Sequence, residues 1–509
     1  MSDSVAVTNE RRQGSECNRL PAIVALAFCS AIGATAHAGV APLSLHECRL
    51  ESSRKDAVSG GTAAARCGWY RVRENRDDAH SKELQLHVAV VPALRLKPAA
   101  DPLVILSGGP GQAASDLYLS IGPAFARIRR DRDIVLIDQR GTGRSNRLDC
   151  TFPDDNDLTR VAPERLRKLV GSCLAAMPGD ARFYTTSVAV RDLEEIRAAL
   201  GYAAVNLYGV SYGTRVAQHY LRRYPQRVRT MILDGVVPAD LALGPDVAIE
   251  AQRALDDSFD RCAHDERCNR AFPQIGQRFR DLRARLQQAP LTLSMADPVS
   301  ADPVTTMFGA AELAAAVRLL SYVDETASAL PLLIHEADVS DEPQMLAAQY
   351  LMIKRSTDAQ IANGMHFAVV CSEDAPRWSH TNITQAALAA TYMGTAFMTD
   401  MEAICADWPR GPVDADFSAP VRSDAAVLIL SGGNDPITPQ RYGEQVLKGY
   451  PHGRHLVLRG QGHGQIATGC VPRLAAEFIA QGTAGRLDTS CIDSISPAPF
   501  MLSRSATAP

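Results

Sequence analysis

Beyond residue 38 the chain has no apolar run long enough to cross a bilayer, so no integral membrane segment is expected in the mature protein. It has no C-x-x-C pair and no H-E-x-x-H, which removes the commonest zinc patterns; no metal and no cofactor is expected. No basic stripe and no interleaved aromatic platform is present. Lys and Arg (53) nearly balance Asp and Glu (57), interspersed to a net charge of −4, so nothing points to nucleic acid as a partner. There is no internal repeat.

What is present is an ordinary globular composition, 46% hydrophobic and 22% charged over 509 residues. That length suits two to four domains, or one α/β fold carrying a large insertion. At the N-terminus, Arg11, Arg12 and Arg19 precede an apolar stretch from Leu20 to Ile32, and Ala36-His37-Ala38 supplies a small-x-small cleavage pattern. Residues 1–38 are therefore expected to be a signal peptide cut after Ala38, placing the protein in the periplasm or outside the cell. Removal takes Cys17 and Cys29 and leaves ten cysteines: Cys48, Cys67, Cys150, Cys173, Cys262, Cys268, Cys371, Cys405, Cys470 and Cys491. An even number in an exported chain implies disulfides. Pairing neighbours in order gives five modest loops and is the expected scheme, although spacing alone leaves other connectivities open.

Short apolar runs mark strands at 84–90, 102–106, 133–137, 204–208, 230–233, 425–430 and 455–458, most followed by glycine-containing turns. The spacing of Val190, Leu193, Ile196 and Leu200 predicts a helix over 188–200, capped by Ser187. Strands alternating with helices mean a mostly parallel central sheet. Between about 237 and 419 that rhythm gives way to alanine-rich helical segments, which reads as a helical cap inserted before the last two core strands and lying over the sheet's carboxyl edge. The expected divisions are a core from 39 to 236, the cap from 237 to 419, the rest of the core from 420 to 491, and a disordered Ser/Pro/Ala-rich tail from 492 to 509.

Between the strand at 204–208 and a helical pattern from Thr214 to Tyr224 stands Gly209-Val210-Ser211-Tyr212-Gly213. A serine between two glycines on a strand-to-helix turn has its Oγ pushed clear of the backbone. By glycine frequency the pentapeptide arises by chance roughly 0.1–0.2 times in a chain this long, so its context decides. A serine nucleophile needs a base, an acid that orients the base, and donors for the oxyanion. In this architecture the chain order is serine, acid, histidine. Asp435 follows the strand ending at Leu430. Of His452, His455 and His463, only His463 lies past the carboxyl end of the next strand. Ser211, Asp435 and His463 are thus the candidate triad. The Tyr212 amide is one candidate oxyanion donor, and Gly109, with Gly108 second, the other, from Ser107-Gly108-Gly109-Pro110-Gly111. That loop lacks the lysine of a P-loop and the third glycine of G-x-G-x-x-G, which argues against a phosphate cradle. Asp138 and Arg140 read as a structural ion pair bracing the loop.

With these residues in view, the chain resembles the secreted proline-iminopeptidase-like and tripeptidyl-aminopeptidase-like serine hydrolases of the α/β-hydrolase fold. The likeness rests on the three stretches 107–111 (where many relatives begin with histidine), 138–145 and 209–213. It extends to Cys262 and Cys268 followed by Phe272-Pro273, Cys371-Ser372-Glu373-Asp374, Cys405-Ala406-Asp407-Trp408-Pro409, Asp435-Pro436-Ile437-Thr438-Pro439 and Gly462-His463-Gly464. It runs from about residue 45 to 491. The resemblance implies an exopeptidase acting on peptides with free N-termini. That chemistry asks for an anion near the cleft to meet the substrate ammonium, and Glu373, with Asp374 second, is the expected residue. Thr438 is expected to order the acid loop. An exported esterase or lipase would use the same triad. A non-catalytic binding protein is disfavoured because all three triad residues are present, and the aspartate-nucleophile dehalogenases and epoxide hydrolases are excluded by Ser211.

Overall fold

A computed structural model describes residues 42–53, 61–150 and 161–504. The expected signal peptide lies outside the described residues. The strands are β1 (His46–Leu50), β2 (Ala63–Arg73), β3 (Glu83–Val91), β4 (Leu103–Leu106), β5 (Ile134–Ile137), β6 (Val205–Val210), β7 (Val228–Asp234), β8 (Leu291–Ala296), β9 (Pro303–Phe308), β10 (Ala426–Gly432) and β11 (Gly453–Leu458). Nine of them form one sheet in the order β1-β2-β3-β5-β4-β6-β7-β10-β11. From β5 to β11 every pairing is parallel, and the other end is antiparallel.

Strands β4, β5 and most of β10 are buried on both faces, which is why they read as near-continuous apolar runs. Alternate side chains feed two cores. Val104, Leu106, Val135, Leu207, Met231 and Ile429 pack on one face, and Leu103, Ile105, Leu136, Tyr208, Ile232 and Leu430 on the other. β1 and β2 were not expected from sequence: β2 alternates exposed and covered positions, and its Arg, Ala and Gly content hides the period. The predicted helix over 188–200 is Thr186–Ala199, and Ser187 lies inside it instead of capping it. Its hydroxyl accepts a hydrogen bond from the Asp414 amide (3.0 Å).

Between β7 and β10 the chain is mainly helical and builds its own core from Leu255, Phe259, Phe279, Leu313, Val317 and Leu330. It also holds the β8–β9 hairpin, which the alanine-rich reading of this stretch left out. Five disulfides join Cys48–Cys67, Cys150–Cys173, Cys262–Cys268, Cys371–Cys405 and Cys470–Cys491, the in-order scheme.

The expectation of a disordered tail from 492 onward is corrected for residues 492–504; residues 505–509 lie outside the described residues. Ser496 accepts from Gln461 Nε2 (3.3 Å) and Ala498 from Arg261 Nη1 (2.8 Å) through their carbonyls. The Met501 amide donates to the Ser328 carbonyl (3.2 Å). Phe500 is buried beneath the Arg261 guanidinium at 3.9 Å. A Ser/Pro/Ala-rich segment stays ordered here because the chain beneath it satisfies its backbone groups and takes in its one large ring.

Candidate functional site

Ser211 links the end of β6 to the helix Tyr212–Arg223 with φ 54° and ψ −125°. A non-glycine residue in this left-handed region carries strain of order 1–3 kcal/mol, so its surroundings must hold it there. The Ser211 amide donates to the Asp234 carbonyl (2.9 Å), and the Ser211 carbonyl accepts from the Thr214 amide (2.9 Å) and hydroxyl (2.6 Å). The flanking glycines are steric necessities. A Cβ on Gly209 would stand 2.4 Å from the Gly213 carbonyl oxygen, and one on Gly213 would stand 2.1 Å from that of Leu106.

Asp435 is fully buried after β10 and its carboxylate is saturated. One oxygen accepts from the Ile437 and Thr438 amides (both 2.8 Å), the other from Thr438 Oγ1 (2.8 Å) and His463 Nδ1 (2.7 Å). An ionised carboxylate only accepts, so it fixes the imidazole proton on Nδ1 and leaves Nε2 as an acceptor. Burial opposes the charged imidazole, but Asp435, with Asp234 behind it, outweighs burial and raises the His463 pKa above its ordinary value. The ring covers Gly235, where a Cβ would lie 2.9 Å from Cε1. Ser211 is held by Asp234, the residue before Gly235. Elbow and imidazole therefore meet at the carboxyl end of β7.

Two residues outside the sequence-derived set position the histidine. Buried Asp234 accepts from the Gln465 amide (2.7 and 2.8 Å), the Ile466 amide (2.8 Å) and Tyr208 Oη (3.0 Å). Burial pushes its carboxyl up to about 6 despite these donors. Its visible signal was an acid at a strand's carboxyl end. In the cap, the Tyr322 carbonyl accepts from the His463 amide (2.6 Å), and the two rings stand edge to face at 5.4 Å. No sequence signal marks Tyr322, which follows an alanine-rich helix.

The loop after β4 runs against the elbow. A Cβ on Gly108 would stand 3.1 Å from Ser211 Cβ and 3.7 Å from Oγ, and Gly109 follows at φ 104°. Tyr212 opens its helix, so its amide has no intrahelical acceptor. The buried Tyr212 hydroxyl bonds Thr186 Oγ1 (2.7 Å) and accepts from Gln139 Nε2 (3.1 Å). Asp138 and Arg140 are not paired with each other. Asp138 accepts from the Ser115 amide and hydroxyl (both 3.0 Å), whereas Arg140 grips Asp192 through Nε (2.6 Å) and Nη2 (2.8 Å).

The expectation of an open amine clamp at Glu373 and Asp374 is corrected by their burial, since both side chains are fully enclosed. Asp374 accepts from Arg215 Nη1 and Nη2 (both 3.0 Å), from Arg377 Nη2 (3.1 Å) and from the Leu243 amide (2.9 Å). Glu373 accepts from the Thr186 amide (2.6 Å) and hydroxyl (3.1 Å). A carboxylate so enclosed offers a substrate ammonium nothing to approach.

Burial, reinforced by the charge of Asp374, pushes the Glu373 carboxyl up to about 7 against the pull of Arg215. The folded protein thus binds this proton more tightly than the unfolded chain, whose glutamate titrates near 4.5. The stabilising contribution is whole below that value and is lost as pH rises through about 7, a swing of roughly 3 kcal/mol. Glu373→Gln keeps an acceptor for the Thr186 amide and cannot ionise. Urea midpoints measured from pH 5 to 8 should therefore shift progressively in favour of the variant. A difference independent of pH would reject this account.

A family model described as alpha/beta hydrolase fold matches residues 101–469. Serine protease Hip1 of Mycobacterium tuberculosis is 25% identical over 489 residues, covering 88% of this chain and 91% of that protein. The tripeptidyl aminopeptidase of Streptomyces lividans is 24% identical over 476 residues, covering 85% and 84%. Carboxylesterase B of Mycobacterium tuberculosis is 28% identical over 463 residues, covering 84% and 86%.

Proposed function

The chain belongs to the alpha/beta hydrolase family, and from that premise we propose that it is an exported serine exopeptidase cleaving peptides near free N-termini. The observation that carries the reading is the 2.7 Å Asp435–His463 bond set beside a serine held at positive φ. Ser211 Oγ attacks the scissile carbonyl carbon while His463 Nε2 takes its proton, and Asp435 stabilises the imidazolium. The oxyanion falls to the amides of Tyr212 and Gly109, each such donor typically being worth about 10²–10³ in rate. Nε2 returns the proton to the leaving amine, an acyl-enzyme remains, and water then releases the acid by the same route.

The named activities of Hip1 and the tripeptidyl aminopeptidase support a peptidase over other acyl hydrolases. A preference for chain ends is supported by the insertion's Tyr322, whose carbonyl and ring both pack on the histidine loop beside the site. Export is supported by five disulfides, which persist in oxidising compartments.

The second reading is a carboxylesterase with the same machinery, favoured by the name of the 28% identical relative. A fluorogenic panel separates the two: one-, two- and three-residue peptides with free or acetylated N-termini, beside acetate and butyrate esters. Free peptides should be cleaved much faster than acetylated ones, the behaviour that defines an enzyme acting only at free N-termini. Equal cleavage of both would sink the exopeptidase reading, and turnover of esters alone would establish the second.

A further inference from the structure

Arg318 is a cation beside the site without an anion of its own. It lies half-buried on the cap helix Ala310–Leu320, one turn before Tyr322. Its Nη2 donates to Tyr322 Oη (2.9 Å), and its guanidinium carbon stands 5.7 Å from the centre of the Tyr322 ring and 5.9 Å from that of Phe397. Tyr322 in turn packs edge to face on His463. The guanidinium is near enough to oppose protonation of both His463 and His366. His366 Nδ1 donates to the Pro110 carbonyl (3.3 Å) in the loop that faces Ser211. Arg318 is therefore joined to the histidine loop through Tyr322 and is near His366, which ties down the loop after β4.

Other arginines near the site hold a carboxylate. Buried Arg140 and Arg215 each grip a carboxylate with two nitrogens. Among the described residues no carboxylate lies within ion-pair distance of Arg318, and its buried Nε has no hydrogen-bond partner. Two aromatic neighbours give some compensation through their ring faces. They act on the face of the guanidinium and supply no charged acceptor in its own plane. A half-buried charge with an empty edge is costly until an anion fills it.

We propose that Arg318 binds a substrate carboxylate on the leaving-group side of the scissile bond. His463 returns its proton to the leaving amine, so the departing segment lies on the imidazole side, where Tyr322 and Arg318 stand. The inference rests on the peptidase reading and narrows its substrate class to short peptides whose C-terminal carboxylate is one or two residues beyond the cleaved bond.

The test uses the full-length exported protein and di- to tetrapeptides with free N-termini, each as the C-terminal acid and as the C-terminal amide. Wild type should prefer the acid by about 10- to 100-fold in kcat/KM, chiefly through KM, as expected for a charged contact made in ground and transition state alike. In Arg318→Gln the ratio should fall to near one, and in Arg318→Lys it should be intermediate. A loss shared equally by acids and amides would mean that Arg318 only supports Tyr322, and would overturn the proposal. A wild-type ratio near one would overturn it whether or not the variants fold. Acetylating the same pairs separates the two hypotheses: cleavage of acetylated peptides removes the free-amine requirement, yet leaves the acid-to-amide ratio as the readout for Arg318. If only esters turn over, acetyl esters of 4-hydroxybenzoate and 4-hydroxybenzamide make the same comparison.

Discussion

Ser211→Ala is expected to lower kcat by about 10⁶-fold on the best substrate of the panel while leaving the fold intact. Both halves of that expectation follow from the elbow. Among the described residues Ser211 Oγ donates to no structural acceptor, so its removal breaks no bond the fold needs. Alanine keeps a Cβ at φ 54°, so backbone strain is conserved and the melting temperature should not move. What disappears is the nucleophile, and with it any use for the Asp435–His463 pair. The residual rate should be that of a preorganised site without a nucleophile, about 10³–10⁴ above water. A fluorophosphonate should label wild type and not the variant. A variant retaining a tenth of wild-type activity would remove Ser211 from the mechanism.

The largest stability effect is expected at Arg215, one helical turn beyond the nucleophile. Its guanidinium is almost fully enclosed, bound to both Asp374 oxygens, 3.6 Å from Glu373 and donating to the Leu241 carbonyl (2.9 Å). Arg215→Met would leave two enclosed carboxylates sharing Arg377 alone, and losing one partner of such a cluster costs about 3–5 kcal/mol. The penalty should shrink toward pH 5, because Glu373 is protonated there at little cost and a neutral carboxyl no longer needs the cation. Adding Asp374→Leu should recover part of the loss, since matched removal of both partners spares the unpaired charge. Urea denaturation of the single and double variants at pH 5 and 8 measures all of this. A cost under 1 kcal/mol at pH 8 would mean that the cluster contributes little.

The parts legible in the sequence share a physical cause. Strands β4, β5 and β10 are buried on both faces, so they are written mainly as apolar runs. Gly209 and Gly213 had to be glycine because carbonyl oxygens occupy the space a Cβ would need. The illegible parts depend on partners far along the chain. Glu373 looked like a solvent-facing anion because its counter-charge, Arg215, lies on the elbow helix, before the insertion that holds Glu373 begins. Asp138 and Arg140 looked like a pair because they are two apart, whereas Arg140 points to Asp192. Ser496 to Met501 looked unstructured because composition does not report where a segment lands.

That landing has a mechanical consequence. The insertion leaves the core after β7 and rejoins it at β10, two attachments that by themselves would let it swing as a flap. The chain's last residues add another, fastening Arg261, Asp324 and Ser328 to a stretch that leaves the core at Cys470–Cys491. Side chains pin it elsewhere, Asp374 to Arg215 and Glu373 to Thr186 among them, so it cannot swing as one piece. The tie from the Tyr322 carbonyl to the His463 amide means that any tilt also drags the imidazole off its station. Admission of substrate then falls to side chains and short loops giving way around the site, not to a swing of the whole insertion.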